Sequence, residues 1–380
     1  TFGSAAITIA VVDSGVKLNH PAFAGRLVPG YDFVNQDEWA DDDAGHGTHV
    51  AGIIAAAAND GQGMAGLCPN CRIMPVKVLN QYSLGTWSHL AQGILFAADN
   101  GAQIINLSLG ATIPSQTLEA AVNYALDKGV ILVAAAGNHG SDAPFYPAAL
   151  DGVIAVSATT AQDDLWNRSA FGDYIDFAAP GELVFSTYHD LDNPFGGYTY
   201  MSGTSMAAPF VSALAGLVLS MEPRLDRAAV ITAMTLGADD LGTPGWDPAF
   251  GHGRINAPAT LTAPVPGLQE AVNDIVHPAL AQMLYLPCAT KPTARIICPN
   301  QKRPPDWATA FAFFGYCSDA SQSAPEHGYK TQSPVSSAGS SGLDKPCRAV
   351  RMPSSNAWCR SGWPLLATSV RLVNCHGAPR

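Results

Sequence analysis

Ile7-Thr8-Ile9-Ala10-Val11-Val12-Asp13-Ser14-Gly15-Val16 is the stretch whose reading decides the fold. Six apolar or β-branched residues run without polar alternation and stop at an acidic residue and a Ser-Gly turn. A strand with one wet face alternates, whereas an unbroken apolar run marks a strand covered on both faces, the habit of parallel sheets. Comparable runs recur at 73–78, 104–107, 130–135 and 153–156. Between and after them lie small-residue or amphipathic stretches at 46–58, 87–100, 115–128 and 207–220, long enough for helices. Strand and helix in this rhythm predict an α/β fold: a doubly wound, mostly parallel sheet flanked by helices. Functional side chains in such sheets gather at the carboxyl ends of the strands and in the loops that follow.

The chain has 380 residues, 47% hydrophobic and 13% charged, the composition of a packed globular protein. Its formal charge of −11 disfavours phosphate-reading nucleic-acid binding and anionic membranes. The charge is unevenly divided. Residues 1–267 hold 9 basic and 25 acidic groups, net −16, while 268–380 hold 11 basic and 6 acidic groups, net +5, and six of the eight cysteines. We therefore expect a catalytic-sized domain over 1–262, a Pro-rich linker over 263–267, and an irregular, cysteine-containing C-terminal extension over 268–380. The longest apolar run, 207–221, is interrupted by Pro209, Ser212, Gly216 and Ser220 and reads as a core helix, so no membrane span is expected. No basic-then-apolar leader follows Thr1, so the chain reads as a processed form or a fragment.

Four polar residues stand at informative places. Asp13 closes the first strand; alone, it is an ordinary turn residue. His46, in Gly45-His46-Gly47-Thr48-His49-Val50-Ala51-Gly52, opens a helix of small residues, where two histidines could equally be caps or metal ligands. Asn138 follows Ala134-Ala135-Ala136-Gly137 at a strand end, a common turn position. Ser205, in Gly203-Thr204-Ser205-Met206-Ala207-Ala208-Pro209, precedes the apolar helix, where a serine often serves as a cap. In that setting small neighbours also admit a substrate backbone, and the helix N-terminus favours a developing anion.

Taken in chain order, these four segments resemble the subtilisin-like serine protease family, over most of residues 5–262. Asn106-Leu107-Ser108-Leu109-Gly110, Tyr146-Pro147 and Gly251-His252-Gly253-Arg254-Ile255-Asn256-Ala257 extend the resemblance. It implies a serine endopeptidase with Ser205 as nucleophile, His46 as general base, Asp13 orienting the imidazole, Asn138 on the oxyanion, and an acyl-enzyme intermediate. It further implies that Ser83-Leu84-Gly85 and Ser108-Leu109-Gly110 pair with the main chain of a protein or peptide substrate, with Ala135 and Gly137 nearby. Trp87 falls where the family walls its S4 pocket, or is core. Phe145 falls near the S1 floor, predicting apolar P1 residues of modest size. An N-terminal propeptide, secretion and a monomeric state are expected on the same ground. The rival within the hydrolases is a dedicated processing or transpeptidating subtilase of a peptide-maturation system; a non-catalytic binding module is disfavoured by the intact Asp13, His46, Asn138 and Ser205.

Where the family often has a calcium-binding Asp after His20-Pro21, this chain has Ala22, and the loop 59–63 is short though it keeps oxygen donors. No cofactor is expected to be required, and calcium is not expected at that place; a site elsewhere stays open. Gly61-Gln62-Gly63-Met64-Ala65-Gly66 spells a dinucleotide fingerprint, but it follows a helix and precedes a strand, the reverse of the required order. Asp41-Asp42-Asp43 reads as a solvated loop or as an acidic rim beside S2. Cys68-Pro69-Asn70-Cys71 reads first as a small-loop disulfide, with reduced thiols as the alternative. Cys288, Cys298, Cys317, Cys347, Cys359 and Cys375 allow a disulfide module; a removed extension and a tail without a selected fold are the alternatives.

Overall fold

The computed structural model describes residues 2–193 and 195–270, together with the backbone of 373–374. Seven strands form the central sheet: β1 (Thr8–Asp13), β2 (Tyr31–Asp32), β3 (Arg72–Lys77), β4 (Ile104–Leu107), β6 (Ile131–Ala135), β7 (Ile154–Thr159) and β8 (Phe177–Pro180). Their order is β2-β3-β1-β4-β6-β7-β8 and every pairing is parallel. The register sets Asp13 opposite Lys77 and Asn106 opposite Val133. β5 (Leu109–Gly110) stands outside this sheet, just past β4. The order reverses between β1 and β4, the kind of switch point at which ligands bind.

Both faces of the sheet are covered. Ile9, Val11, Val133 and Val156 join one apolar cluster with α1 (His46–Ala55), α4 (Thr204–Met221) and α5 (Arg227–Gly237). Ala10, Val12, Leu132 and Ala134 join the other, with α2 (Trp87–Asp99) and α3 (Gln116–Asp127). Successive residues of β1 thus face opposite cores, which is why its sequence shows no alternation. Side-chain caps start α2 at Thr86, α3 at Ser115 and α5 at Asp226, each accepting a first-turn N–H. A hairpin of β9 (Val184–Thr187) and β10 (Tyr198–Met201) lies against α1, and α6 (Ala257–Leu261) packs on α5.

The expected strands and helices are all present, with ends that coincide or shift by up to three residues. β2 and β8 were not anticipated: one has two residues, and Phe-Ala-Ala-Pro lacks the β-branched signature. Among the described residues α4 alone is long and apolar enough to cross a bilayer, and it is buried inside the protein.

The expected linker at 263–267 needs correction. Ala263, Val265 and Leu268 are buried in the larger core while Pro264 and Pro266 face outward, so the segment is an apolar-in, proline-out strap on the domain. Proline excludes helix here without preventing extended packing. Cys68 and Cys71 stand at disulfide distance, both buried, with Cα atoms 5.4 Å apart. The other six cysteines lie outside the described residues, as do all expectations for the extension beyond the two-residue strand β11 (Val373–Asn374).

Candidate active site

Asp13 is the last residue of β1 and His46 the first of α1. They meet because Gly47 lets the helix lie directly on the strand end: a Cβ at Gly47 would come 2.1 Å from the Gly15 carbonyl oxygen and 3.1 Å from Asp13 Cβ. His46 Nδ1 donates to Asp13 Oδ1 at 2.7 Å, with the two side chains 1% and 0% exposed. A carboxylate can only accept, so Nδ1 carries the proton and Nε2 is the basic nitrogen of the neutral ring. The second histidine of the motif goes elsewhere. His49 Nε2 donates toward the carbonyls of Val184 and Thr199 at 3.1 and 3.2 Å, fastening α1 to the hairpin, so the two histidines do not form a metal pair.

The acidic run before His46 is not simply a solvated loop. Asp42 is buried and accepts five hydrogen bonds: from Ser14 Oγ, Ala44 N and Gly45 N on one oxygen, and from Thr48 N and Thr48 Oγ1 on the other, at 2.6–3.0 Å. The helix N-cap, Gly45, has no side chain to offer, so a residue three positions earlier supplies the cap. Asp41 pairs with Lys17 at 2.7 Å, and Asp43 pairs with Lys77. Lys77 is itself buried and donates to the Ser14 carbonyl at 2.7 Å, a fixed cation close behind the Asp13 turn. Neither the Asp42 cap nor Lys77 was anticipated.

Ser205 sits in the first turn of α4, whose interior holds Pro209. Proline has no N–H, so the Ser205 carbonyl lacks the donor that an α-helix provides from four residues on. The Ser108 hydroxyl takes that place, donating to the Ser205 carbonyl at 2.8 Å, while Ser205 Oγ donates to the Ser108 carbonyl at 3.0 Å. Asn106 completes the fastening: its Nδ2 donates to Ser108 Oγ, and its Oδ1 accepts from Ser212 Oγ. Ser212, read from sequence only as an interruption of the apolar helix, is thus the anchor between α4 and β4.

Asn138 lies just past β6. Thr204 donates to its Oδ1 twice, from the backbone N–H and from the hydroxyl, both at 2.9 Å. A backbone N–H can only donate, so the amide oxygen must face Thr204. The Nδ2 group is buried and has no hydrogen-bond partner among the described residues, one residue removed from the start of the Ser205 turn. Buried donors are normally satisfied, and an unmet one beside a helix N-terminus suits a group that arrives later.

The predicted substrate residues are partly rearranged. Leu109 and Gly110 form β5, and Ser108 joins it to β4. Ser83 is not extended: it has φ 58°, because Asn80 Oδ1 accepts from Tyr82 N and Leu84 N and curls the segment before Leu84 and Gly85. Trp87 is buried in the apolar cluster that includes Leu109 and serves the core first. Ala135 is a core residue of β6. Phe145 is buried between two glycines: a Cβ on Gly110 would lie 2.6 Å from its Cε1, and one on Gly137 3.0 Å from its Cγ. At the calcium position of the family, Ala22 is buried and cannot ligate, while His20 bridges the Ala22 N–H and the Gly197 carbonyl. The residues present there do not fit a cation.

A profile of the Subtilase family, peptidase S8, matches residues 4–253. The chain belongs to the subtilase family. It is 44% identical over 249 residues to thermitase of Thermoactinomyces vulgaris, a match covering 66% of this chain and 86% of that protein. To the thermophilic serine proteinase of Bacillus sp. strain AK1 it is 45% identical over 257 residues, covering 68% of this chain and 62% of the relative. Among solved structures, fervidolysin of Fervidobacterium pennivorans, described as a keratinolytic enzyme related to subtilisin, superposes with a TM-score of 0.63 at 31% identity, over 69% of this chain and 44% of that one. A lanthipeptide protease gives 0.62 at 26% identity, over 68% and 89%. This subtilase is a subtilisin-like serine peptidase.

Proposed function

We propose that the protein is a secreted, monomeric endopeptidase that cleaves exposed peptide segments by acyl transfer to Ser205. His46 Nε2 takes the Ser205 proton and returns it to the leaving amine; Asp13 holds the ring through Nδ1 and stabilises the imidazolium. Asn138 Nδ2, with the Ser205 backbone N–H, receives the oxyanion. The observation that carries this reading is the pairing of a buried Asp13–His46 hydrogen bond with an oriented, unmet Asn138 donor beside the nucleophile turn. Water then repeats the attack on the acyl-enzyme and regenerates Ser205.

Substrate main chain pairs with Ser108–Gly110 on one side and with Leu84–Gly85 on the other, which supports affinity without strong sequence preference. The Phe145 ring between Gly110 and Gly137 shortens S1 and favours small or medium apolar P1 side chains. A propeptide before the mature start, and a Cys68–Cys71 disulfide bracing the approach to β3, belong to the same reading. No step needs a metal or organic cofactor. The test is labelling by a fluorophosphonate together with casein hydrolysis: both are expected for the native protein and both are lost in Ser205→Ala. Labelling that survives the substitution refutes the assignment.

The likeness to a lanthipeptide protease keeps a restricted processing role as the second reading. Mass mapping of a digested peptide mixture separates them. Many cleavages with linear products support the endopeptidase, while one dominant cleavage or joined products support processing.

A further inference from the structure

The edge of β5 is already paired. β11 runs antiparallel to it, with Val373 opposite Gly110 and Asn374 opposite Leu109. No other strand joins this two-stranded sheet among the described residues. The direction and register matter more than the contact. A peptide in this alignment, continued by one residue toward its C-terminus, faces Ser108, whose carbonyl holds Ser205 Oγ. An antiparallel strand on this edge therefore delivers a chain toward the nucleophile.

One further observation agrees. Residues 1–267, which carry β5, have net charge −16, and residues 366–380, which carry β11, hold Arg371 and Arg380 and no acidic group, so the pairing is electrostatically favoured.

We propose that the C-terminal segment around Val373–Asn374 is an intramolecular ligand of the substrate-pairing edge, occupying it by strand addition in the manner of a substrate and competing with incoming peptides. This rests on the endopeptidase reading for the identity of the edge. Strand addition draws its affinity from main-chain hydrogen bonds, and tethering makes even a weak pairing effective by raising its local concentration. The competition is intramolecular, so dilution of the enzyme does not relieve it.

The test measures binding of a fluorescent apolar peptide by anisotropy to three proteins, each carrying Ser205→Ala to prevent cleavage. These are the full chain, the full chain with Val373→Pro, and the chain ended after Arg371. Proline at 373 has no N–H and disfavours strand pairing there, and the substitution keeps Cys375 and the charge. The peptide is expected to bind the proline variant and the shortened chain at least about fivefold more tightly than the full chain. Equal affinities in all three, or no binding to the shortened chain, overturn the proposal. Fluorophosphonate labelling of the chain ended after Arg371, with Ser205 intact, is scored separately: positive labelling with equal affinities refutes only the tail inference, while absent labelling there refutes the catalytic reading.

Discussion

Replacing Asp42 by Asn removes a charge and keeps the shape, and the five hydrogen bonds predict the cost. All five partners of Asp42 donate to it: three backbone N–H groups and two hydroxyls. An amide presents one accepting oxygen and one donating nitrogen. With the oxygen kept toward Ser14, Ala44 and Gly45, the new NH2 faces the Thr48 N–H, and one buried backbone donor loses its acceptor. The flipped amide strands two, so the first arrangement sets the minimum loss. An unmet buried N–H costs about 1–3 kcal/mol, and converting the remaining charge-assisted bonds to neutral ones adds about 1 kcal/mol after the gain from easier desolvation. We therefore expect a loss of about 3 kcal/mol, or a Tm lower by about 6–12 °C for a domain of this size. Thermal unfolding followed by circular dichroism at one scan rate, in the Ser205→Ala background to prevent autolysis, measures it. Asp41→Asn is the control: it removes the same charge one residue away, but from a part-exposed pair with Lys17, and should cost less than about 1 kcal/mol. If Asp42→Asn is no more harmful than Asp41→Asn, the capping argument is wrong.

Three other outcomes are expected. Asn138→Ala should lower kcat by about 10²–10³ with little change in KM, a range known from a subtilisin rather than worked out for this chain; a KM effect alone would place Asn138 in ground-state binding. Phe145→Ala should open S1, so that a peptide library shows cleavage after larger aromatic P1 residues rise relative to Ala or Val; an unchanged profile removes Phe145 from specificity. Burial pushes the Asp176 carboxyl up to about 6, against a hydrogen bond from Ala155 N and the nearby His252 and Arg227 charges. A carboxyl whose folded pKa is raised holds its proton more tightly when folded, so its contribution is fully present below the unfolded value near 4 and is lost as pH rises through about 6. Asp176→Asn should therefore gain in Tm relative to the parent between pH 4 and 7; a constant difference over that interval refutes the shift.

The sheet was legible because a strand buried on both faces is mostly apolar along its length, and β1, β3, β4, β6 and β7 each carry such a run, with their polar residues few or at the ends. β2 and β8 escaped because edge strands need not carry that signature, and the 263–268 strap escaped because prolines read as punctuation even when the residues between them are buried. Asp13, His46, Asn138 and Ser205, on which the proposed mechanism rests, stand in motifs that can be read from the sequence alone. Asp42 and Lys77 were not legible in this way: Asp42 caps the helix from three residues before its border and also holds Ser14, 28 residues back, while Lys77 reaches the Ser14 carbonyl 63 residues away. A capping signal would normally be sought at Gly45, the residue that borders the helix. Ser212 was misread for a related reason, since an apolar helix broken by a hydroxyl gives no hint that Asn106 waits across the interface. Ser83 was misread because its turn depends on the side chain of Asn80 and not on its own type.

The proline in α4 has a mechanical consequence. By releasing the Ser205 carbonyl it lets Ser205 and Ser108 bond in both directions, hydroxyl to carbonyl each way, and Ser108 adjoins the strand on which β11 lies. Helix and strand edge then move together when the domain breathes, as two parts of a jig rather than two walls of a gap. The spacing from that edge to Ser205 Oγ is held locally, across a pair of hydrogen bonds, and does not depend on the long path through the sheet.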